Sequence, residues 1–80
     1  MKIFITGIAG FLGSNLGIRL ANRGFSVHGN DNLKGGYSSN LDKRFNFYNV
    51  DCCDLEKMSK IIPHDTDVVF HCAATAYEGL

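Results

Sequence analysis

The sequence predicts an α/β fold built on a parallel β-sheet. Three observations support this prediction: an apolar run near the amino terminus, a glycine-rich turn directly after it, and a helical repeat after the turn. Strand, tight turn and helix in this order open a strand-helix-strand unit, whose two strands run parallel. The rest of the chain should therefore continue with strands and helices in alternation.

The first unit is expected to span residues 2–29. Lys2–Thr6 is predicted as a strand because it is apolar on both faces, as strands covered by helices on both sides are. A helix is predicted over 11–23, ended by Gly24, and a second strand over 25–29. The side chains of the helix that should face the core recur at helical spacing: Leu12, Leu16, Ile18, Leu20 and Ala21.

Two further strands and a short helix are expected after a loop at 32–40, which is rich in glycine, serine and asparagine. The aromatic residues of 45–50 predict a third strand, and 66–72 predicts a fourth. Between them, Asp54 is a candidate N-cap for a helix that Pro63 ends. The helix should place four apolar side chains on one side: Leu55, Met58, Ile61 and Ile62.

These elements predict a partial Rossmann-type, doubly wound parallel sheet of about four strands in the order 3-2-1-4. Strands one and four should then flank the point at which the chain reverses direction across the sheet, where such folds bind ligands. The sequence has no internal repeat or linker, so its 80 residues are expected to form one compact unit.

Charge and cysteine content restrict the possible functions. Eight basic and eight acidic side chains balance without forming a basic stripe, which disfavours binding to nucleic acid or to a membrane surface. The three cysteines have neither a C-x-x-C pair nor zinc-ligand spacing, so a reducing cytoplasm is expected. The opening Met1-Lys2 and short apolar run also allow a secretion signal, but the regular glycine spacing favours a buried strand and turn.

The glycine-rich turn is a candidate phosphate-binding site. Glycines at 7, 10 and 13 follow a strand and open a helix, the arrangement that holds the pyrophosphate of a dinucleotide. Backbone amides at the helix start and the helix dipole would point at the anion. The alternative is a glycine-rich turn that binds nothing. The candidate residues are Gly7, Ile8, Ala9, Gly10, Phe11, Leu12 and Gly13.

Asp31 is a candidate ribose ligand. It lies 24 residues after Gly7, at the predicted end of the second strand, close to the offset at which an acid accepts hydrogen bonds from an adenosine ribose. A carboxylate there favours NAD, because it would repel the 2′-phosphate of NADP. Lys34 or Arg44 nearby would reverse that preference, and Asp31 would alternatively cap its own turn.

Other candidates follow the third and fourth strands. Asp51 and the Cys52 backbone are expected to meet the adenine, although Asp51 alternatively is a solvated acid at a strand end. Ala73 and Ala74 are small where the middle of the cofactor would pass. His71 is expected to hydrogen-bond neighbouring loops rather than to act as an acid or base.

The remaining reactive side chains are assigned no chemistry. Adjacent Cys52 and Cys53 would point to opposite sides of an extended chain, so no metal site is expected. Tyr77 has no nucleophile or base beside it in the sequence and is expected to pack at a surface or crevice.

Several of these motifs together resemble the extended short-chain dehydrogenase/reductase family. They are Thr6-Gly7-Ile8-Ala9-Gly10-Phe11-Leu12-Gly13, Asp31-Asn32-Leu33, Asp51 and His71-Cys72-Ala73-Ala74, and they are most similar to those of nucleotide-sugar epimerases and dehydratases, the UDP-glucose 4-epimerase group in particular. The resemblance covers essentially the whole chain. It implies NAD as cofactor, a nucleotide-sugar substrate and homodimeric relatives.

The resemblance also implies roles for single residues. Asn32 would join Asp31 at the adenosine ribose, and Cys72 would join Ala73 and Ala74 along the central part of the cofactor. The family's catalytic tyrosine, with a lysine four residues later, is expected beyond residue 80, so no catalytic residue is assigned. Residues 1–80 are accordingly expected to be the amino-terminal half of a dinucleotide-binding domain, without the catalytic and substrate segments.

Three functions follow from these expectations. The first is the NAD-binding portion of an epimerase or dehydratase that works by transient hydride transfer and that is inactive as this chain alone. A non-catalytic dinucleotide-binding or sensing module is the second, and a structural domain that binds nothing is the third. An isolated partial sheet should also expose apolar surface and self-associate.

Overall fold

In the computed structural model of the chain, which describes residues 1–73, strands and helices alternate as predicted. The elements are β1 (Lys2–Thr6), α1 (Phe11–Asn22), β2 (Ser26–Asn30), β3 (Asn46–Tyr48), α2 (Leu55–Ile61) and β4 (Val68–His71). A single 3-10 turn at Ser38–Asn40 lies between β2 and β3. Within residues 1–73, no helix is long and apolar enough to cross a membrane.

The four strands form one parallel sheet in the order β3-β2-β1-β4, which confirms the predicted fold class and strand order. In the central strand β1, Ile3 aligns with Val27 of β2 and with Val68 of β4. Because all strands are parallel, their carboxyl ends meet at one edge of the sheet. The loops that leave β1, β2, β3 and β4 begin at that edge.

The main hydrophobic core lies between the sheet and α1. Ile3 and Ile5 of β1, together with Val27 of β2, are buried there with Ile8 and Phe45. Partly buried side chains from α1 pack against this cluster: Leu16, Ile18, Leu20 and Ala21. The apolar character of β1 on both faces therefore reflects its central position in the sheet.

The face of α1 that lies nearest the core consists of small residues, whereas the sequence predicted a stripe of leucines there. The buried residues of the helix are Gly13, Ser14 and Gly17, whereas Leu12 is 65% exposed. A Cβ at Gly17 would lie 2.6 Å from Cζ of Phe45, so the helix approaches this ring more closely than a larger residue would allow. The larger apolar side chains flank this contact, and the prediction for Leu12 is wrong.

The end of α1 and the start of α2 both match their sequence signals. Gly24 has a φ of 87°, and its N–H donates to the Ala21 carbonyl while the Phe25 N–H donates to the Leu20 carbonyl. This is the double hydrogen bond of a Schellman C-cap. At the start of α2, the Asp54 carboxylate accepts the Lys57 N–H at 3.1 Å, which confirms the predicted N-cap.

The second helix and the third strand differ from their predictions. Leu55 is 77% exposed, and Met58 is the buried residue of α2. The third strand occupies only Asn46–Tyr48 of the predicted 45–50. It pairs with the last three residues of β2 and ends in register with Asn30, the last residue of that strand.

Candidate functional site

A pocket of about 710 Å³ lies at the carboxyl edge of the sheet. This volume falls within the range of small-molecule and cofactor sites. Its walls come from the loops that follow the four strands. The lining residues are Gly7, Gly10, Asn30, Asp31, Asn32, Lys34, Gly35, Gly36, Asp51, Cys52, Cys53, His71, Cys72 and Ala73.

The glycine-rich loop between β1 and α1 requires glycine for two reasons. Gly7 has a φ of 73°, in the left-handed region that side chains disfavour. A Cβ there would also lie 2.7 Å from the backbone of Ala73, so the end of β4 crosses close to the loop. A Cβ at Gly13 would collide with the Gly7 carbonyl oxygen, because α1 begins directly against the turn.

The start of α1 presents unpaired amides. The backbone N–H groups of Phe11, Leu12 and Gly13 have no acceptor among residues 1–73. The N-cap Gly10 adds no side chain to satisfy them, and the first turn holds no acidic residue. These amides and the positive end of the helix dipole form an electrostatic environment suited to a phosphate.

Asp31 hydrogen-bonds both the glycine-rich loop and its own turn. The residue is only 9% exposed, and its carboxylate accepts the Ala9 N–H at 3.0 Å and the Leu33 N–H at 2.8 Å. The bond to Leu33 is the turn cap that the sequence allowed as an alternative. It accompanies a φ of 65° at Leu33, a conformation that side chains disfavour. Each carboxylate oxygen retains a further lone pair for a ligand.

The loop after β2 also docks on the glycine-rich loop, a contact that sequence reasoning missed. The Ala9 carbonyl accepts the Tyr37 N–H at 3.0 Å and the Asn40 Nδ2 group at 2.8 Å. A Cβ at Gly36 would lie 2.7 Å from the Ala9 backbone. The adjacent pair Gly35-Gly36 was the sequence signal for this close approach, although it identified neither the partner nor the geometry.

The two cations weighed for cofactor choice lie in different places. Lys34 lines the pocket. Arg44 instead donates to the Asp42 carboxylate at 2.9 Å and to the Asn22 side-chain oxygen at 2.9 Å, near the end of α1. The guanidinium is therefore occupied outside the pocket wall, and Lys34 is the one of these two cations that lines the pocket.

Asp51, in the segment that follows β3, also lines the pocket. Its Oδ1 accepts the Cys53 N–H at 2.8 Å, and its Oδ2 accepts from Asn32 Nδ2 at 3.0 Å. These hydrogen bonds, the one from the Cys53 backbone first, hold the pKa of Asp51 below its usual value, and Lys34 adds to the effect. The carboxylate therefore stays ionised and acts only as an acceptor. The hydrogen bond to Asp51 raises the pKa of the Cys53 thiol.

The end of β4 forms the third side of the pocket. His71 Nδ1 lies 2.7 Å from Thr6 Oγ1, so the ring hydrogen-bonds the adjacent strand β1 rather than the neighbouring loops that were expected. Thr6 Oγ1 also accepts the Ala73 N–H at 3.3 Å. Burial raises the pKa of the Cys72 thiol. Ala74 and Tyr77 lie outside the described residues.

The structure brings most of the predicted site residues together around one pocket and places the other described ones outside its lining. Eight line the pocket: Gly7, Gly10, Asp31, Asn32, Asp51, Cys52, Cys72 and Ala73. Ile8 and Ala9 are fully buried behind it, so Ile8 belongs to the core and Ala9 contributes backbone hydrogen bonds. Phe11 and Leu12 expose their side chains, which leaves their backbone amides as the groups available to a ligand. Sequence reasoning missed Asn30, Gly35, Gly36 and Cys53 as lining residues.

The residues present fit a dinucleotide and show no metal centre. Gly7 and Gly10 line one part of the pocket, next to the unpaired amides at the start of α1, and Asp31 and Asp51 line other parts. These donors and acceptors match a phosphate followed by a hydroxyl-bearing and then an amino-bearing group. No group of three histidine, cysteine or acidic residues within 1–73 is placed to hold a metal ion.

Comparison with known proteins agrees with this geometry. Residues 3–79 match the model of the NAD dependent epimerase/dehydratase family. A UDP-glucose 4-epimerase from Mycolicibacterium smegmatis is 35% identical over 79 residues, which cover 92% of this chain and 25% of that protein. The chain thus spans about a quarter of the length of the curated relatives it matches.

Solved structures show the same fold. The UDP-glucose 4-epimerase of Thermotoga maritima with UDP-glucose superposes with a TM-score of 0.90 at 40% identity, covering 95% of this chain and 25% of that one. The Bordetella bronchiseptica enzyme WbmH in complex with NAD+ gives a TM-score of 0.86 at 34% identity, covering 92% and 26%.

Proposed function

The chain belongs to the NAD-dependent epimerase/dehydratase family, and from this premise we propose that the pocket at the carboxyl edge of its sheet binds NAD. In this proposal the chain is the cofactor-binding portion of a nucleotide-sugar epimerase or dehydratase. Membership of the family supports the reaction class, and the pocket supports the ligand.

The observation that carries the proposal is the glycine cradle at the start of α1. Gly7 and Gly10 leave the backbone bare, while the amides of Phe11 to Gly13 have no acceptor among the described residues. These amides would hold the pyrophosphate. Asp31 would accept from the adenosine ribose, Asp51 and Cys52 would meet the adenine, and Cys72 and Ala73 would line the central part of the cofactor.

Selectivity for NAD over NADP follows from the charge beside the ribose. Asp31 is a buried carboxylate, and a 2′-phosphate placed against it would be repelled. Arg44, which would otherwise offset this repulsion, is bound to Asp42 and Asn22. Lys34 remains at the pocket wall, so discrimination should be substantial but incomplete.

Bound NAD would supply a hydride acceptor for a sugar carbon. The chain itself would bind and orient the cofactor. Neither Tyr37 nor Tyr48 has a lysine four residues later, and His71 is hydrogen-bonded to Thr6. We therefore expect the 80-residue chain to bind the cofactor without converting a nucleotide sugar.

Isothermal titration of the purified chain with NAD, NADP and AMP tests the proposal. We expect NAD to bind, NADP to bind more weakly, and AMP to retain part of the affinity through Asp31 and Asp51. Circular dichroism before each titration establishes that the chain is folded. A folded chain that takes up no NAD would refute the proposed function, and NADH formation or epimerisation of UDP-glucose would refute the expected inactivity.

A further inference from the structure

We propose that Asn32 is a positioning residue that fixes the adenine-side carboxylate of Asp51 to the loop carrying the ribose-side carboxylate of Asp31. This inference rests on the proposed function, because it assigns Asn32 an indirect role in nucleotide binding. The side chain would act through Asp51 rather than as a ligand of its own.

Both ends of the Asn32 amide are used within the protein. Its Oδ1 accepts the Lys34 N–H at 3.0 Å, which fixes the side chain to its own turn. Its Nδ2 donates to Asp51 Oδ2 at 3.0 Å, across 19 residues of sequence. The side chain therefore ties the loop after β2 to the loop after β3.

The tie matters because Asp51 is otherwise an exposed side chain at a strand end. An exposed carboxylate rotates freely, and fixing it for a ligand costs entropy at the moment of binding. The Cys53 N–H holds Oδ1 at 2.8 Å, and Asn32 holds Oδ2, so both oxygens are oriented before a nucleotide arrives. Losing one of two such bonds should loosen the acceptor without removing it.

The same loop connects to the glycine-rich turn. Asp31, which precedes Asn32, accepts the Ala9 N–H at 3.0 Å. Hydrogen bonds therefore run from the phosphate loop through Asp31 and its neighbour Asn32 to Asp51. This continuity sets the distance between the sites for the pyrophosphate, the ribose and the adenine.

A double-mutant cycle tests whether Asn32 acts through Asp51. For Asn32→Ala we expect NAD affinity to fall about three- to tenfold, the value of one hydrogen bond. In an Asp51→Ala background the same substitution should cause no further loss. Equal losses in both backgrounds would show a direct contact with the nucleotide and overturn the proposal, as would the absence of any loss in the parent chain.

Asn32→Asp distinguishes the hydrogen bond to Asp51 from the hydrogen bond within the local turn. It retains an oxygen for the Lys34 N–H but replaces the donor that faces Asp51 with a second negative charge. We expect Asn32→Asp to lower NAD affinity more than Asn32→Ala does. It should lower the thermal unfolding midpoint of the unliganded chain less than Asn32→Ala does. Asn49→Ala is the matched control, an exposed asparagine two residues before Asp51, and should leave affinity unchanged.

A readout without NAD distinguishes this proposal from the proposed function. NMR titration of the Asp51 carboxyl should show that Asn32→Ala raises its pKa, whereas Asn49→Ala does not. The cation of Lys34 and the neutral thiol of Cys53, the titratable groups that influence this carboxyl, are retained in both variants. If the parent chain binds no NAD, the proposed function fails, and an unchanged Asp51 pKa in Asn32→Ala would independently refute the tie.

Discussion

Gly7 must satisfy a backbone angle and a close approach at the same time. Its φ is 73°, and a Cβ would meet the Ala73 backbone at 2.7 Å. Because neither the β4 end nor the loop can move without disturbing the sheet, we expect Gly7→Ala to destabilise the fold and to abolish detectable NAD binding. Thermal melts and NAD titration measure the two effects.

Gly24 provides the matched control. It also has a positive φ, of 87°, but a Cβ there would meet nothing within 4 Å. Gly24→Ala should therefore cost only the strain of a left-handed alanine, about 1 to 2 kcal/mol, with NAD affinity unchanged. If the two variants lost the same stability and both bound NAD, the close approach at Gly7 would have no functional weight.

Asp31 is predicted to affect both the stability of the fold and the choice between NAD and NADP. Asp31→Asn keeps one oxygen, so only one of the two N–H groups, from Ala9 or Leu33, retains its acceptor. We expect a loss of about 1 to 3 kcal/mol, the cost of a buried unsatisfied donor. NAD affinity should fall while the preference for NAD over NADP narrows, because the negative charge is gone.

Asp67→Asn controls for general effects of removing a carboxylate. Asp67 accepts the Lys2 N–H at 2.8 Å at the opposite edge of the sheet. Its substitution should change the unfolding midpoint but not the ratio of NAD to NADP affinity. A changed ratio in this variant would mean that the selectivity arises from overall charge rather than from Asp31.

Pairing between β2 and β3 places a histidine where protonation is unfavourable. The His28 ring stacks on Tyr48 with centroids 6.4 Å apart, and its Nε2 lies 3.1 Å from Ser26 Oγ. Its Nδ1 is buried without a partner among residues 1–73. Burial first, and then the charge of Lys2, lower the pKa of His28, while Asp65 opposes them.

This lowered pKa predicts that stability decreases on mild acidification. Below a pH of about 6.5 the unfolded chain takes up a proton that folded His28 resists. The free energy of unfolding should therefore fall as the pH drops from about 6.5 towards the lower pKa of the folded state, and level off beneath it. Thermal melts between pH 5 and 8 measure this change.

Two substitutions test whether the pH effect arises from His28 on β2. His28→Gln should flatten the pH dependence of the midpoint in that window, whereas His64→Gln, at an exposed position after α2, should leave it in place. The acids with lowered pKa values, Asp42, Asp51 and Asp65, lose their stabilising contribution only at lower pH. An equal slope in His28→Gln and the parent chain would contradict the assignment.

For the whole molecule, the exposed edge at β4 predicts self-association. Within residues 1–73, β4 pairs with β1 alone, and it exposes Val69 and Phe70 by 51% and 37%. An uncovered edge strand with apolar side chains can pair with another copy. We expect sedimentation of the 80-residue chain to show dimers or larger species at micromolar concentrations.

A charge on this strand should reduce the association. Val69→Lys places a charged side chain on the edge, a substitution that opposes edge-to-edge pairing. Leu55→Lys is the control, because Leu55 is equally apolar and 77% exposed but lies on α2. If both variants sedimented like the parent chain, β4 would not be the contact, and a monomeric parent chain would refute the prediction.

The sequence by itself determined the order of elements, their parallel arrangement and the position of the glycine-rich loop. Each depends on local chemistry that a sequence displays: glycine at a left-handed turn at Gly7, a capping acid at Asp54, and a continuous apolar strand at Lys2–Thr6. Asp31 was also found from its spacing, although its bond to Ala9 was not.

Only the tertiary structure decided which residues face one another across the pocket. The small face of α1 became the buried one because the Phe45 ring, 28 residues after Gly17, occupies the space beside it. The contacts of Gly36 with Ala9 and of Asn32 with Asp51 likewise join segments far apart in the chain. Periodicity reports which side of a helix or strand is apolar, whereas the fit between distant segments depends on how all of them pack.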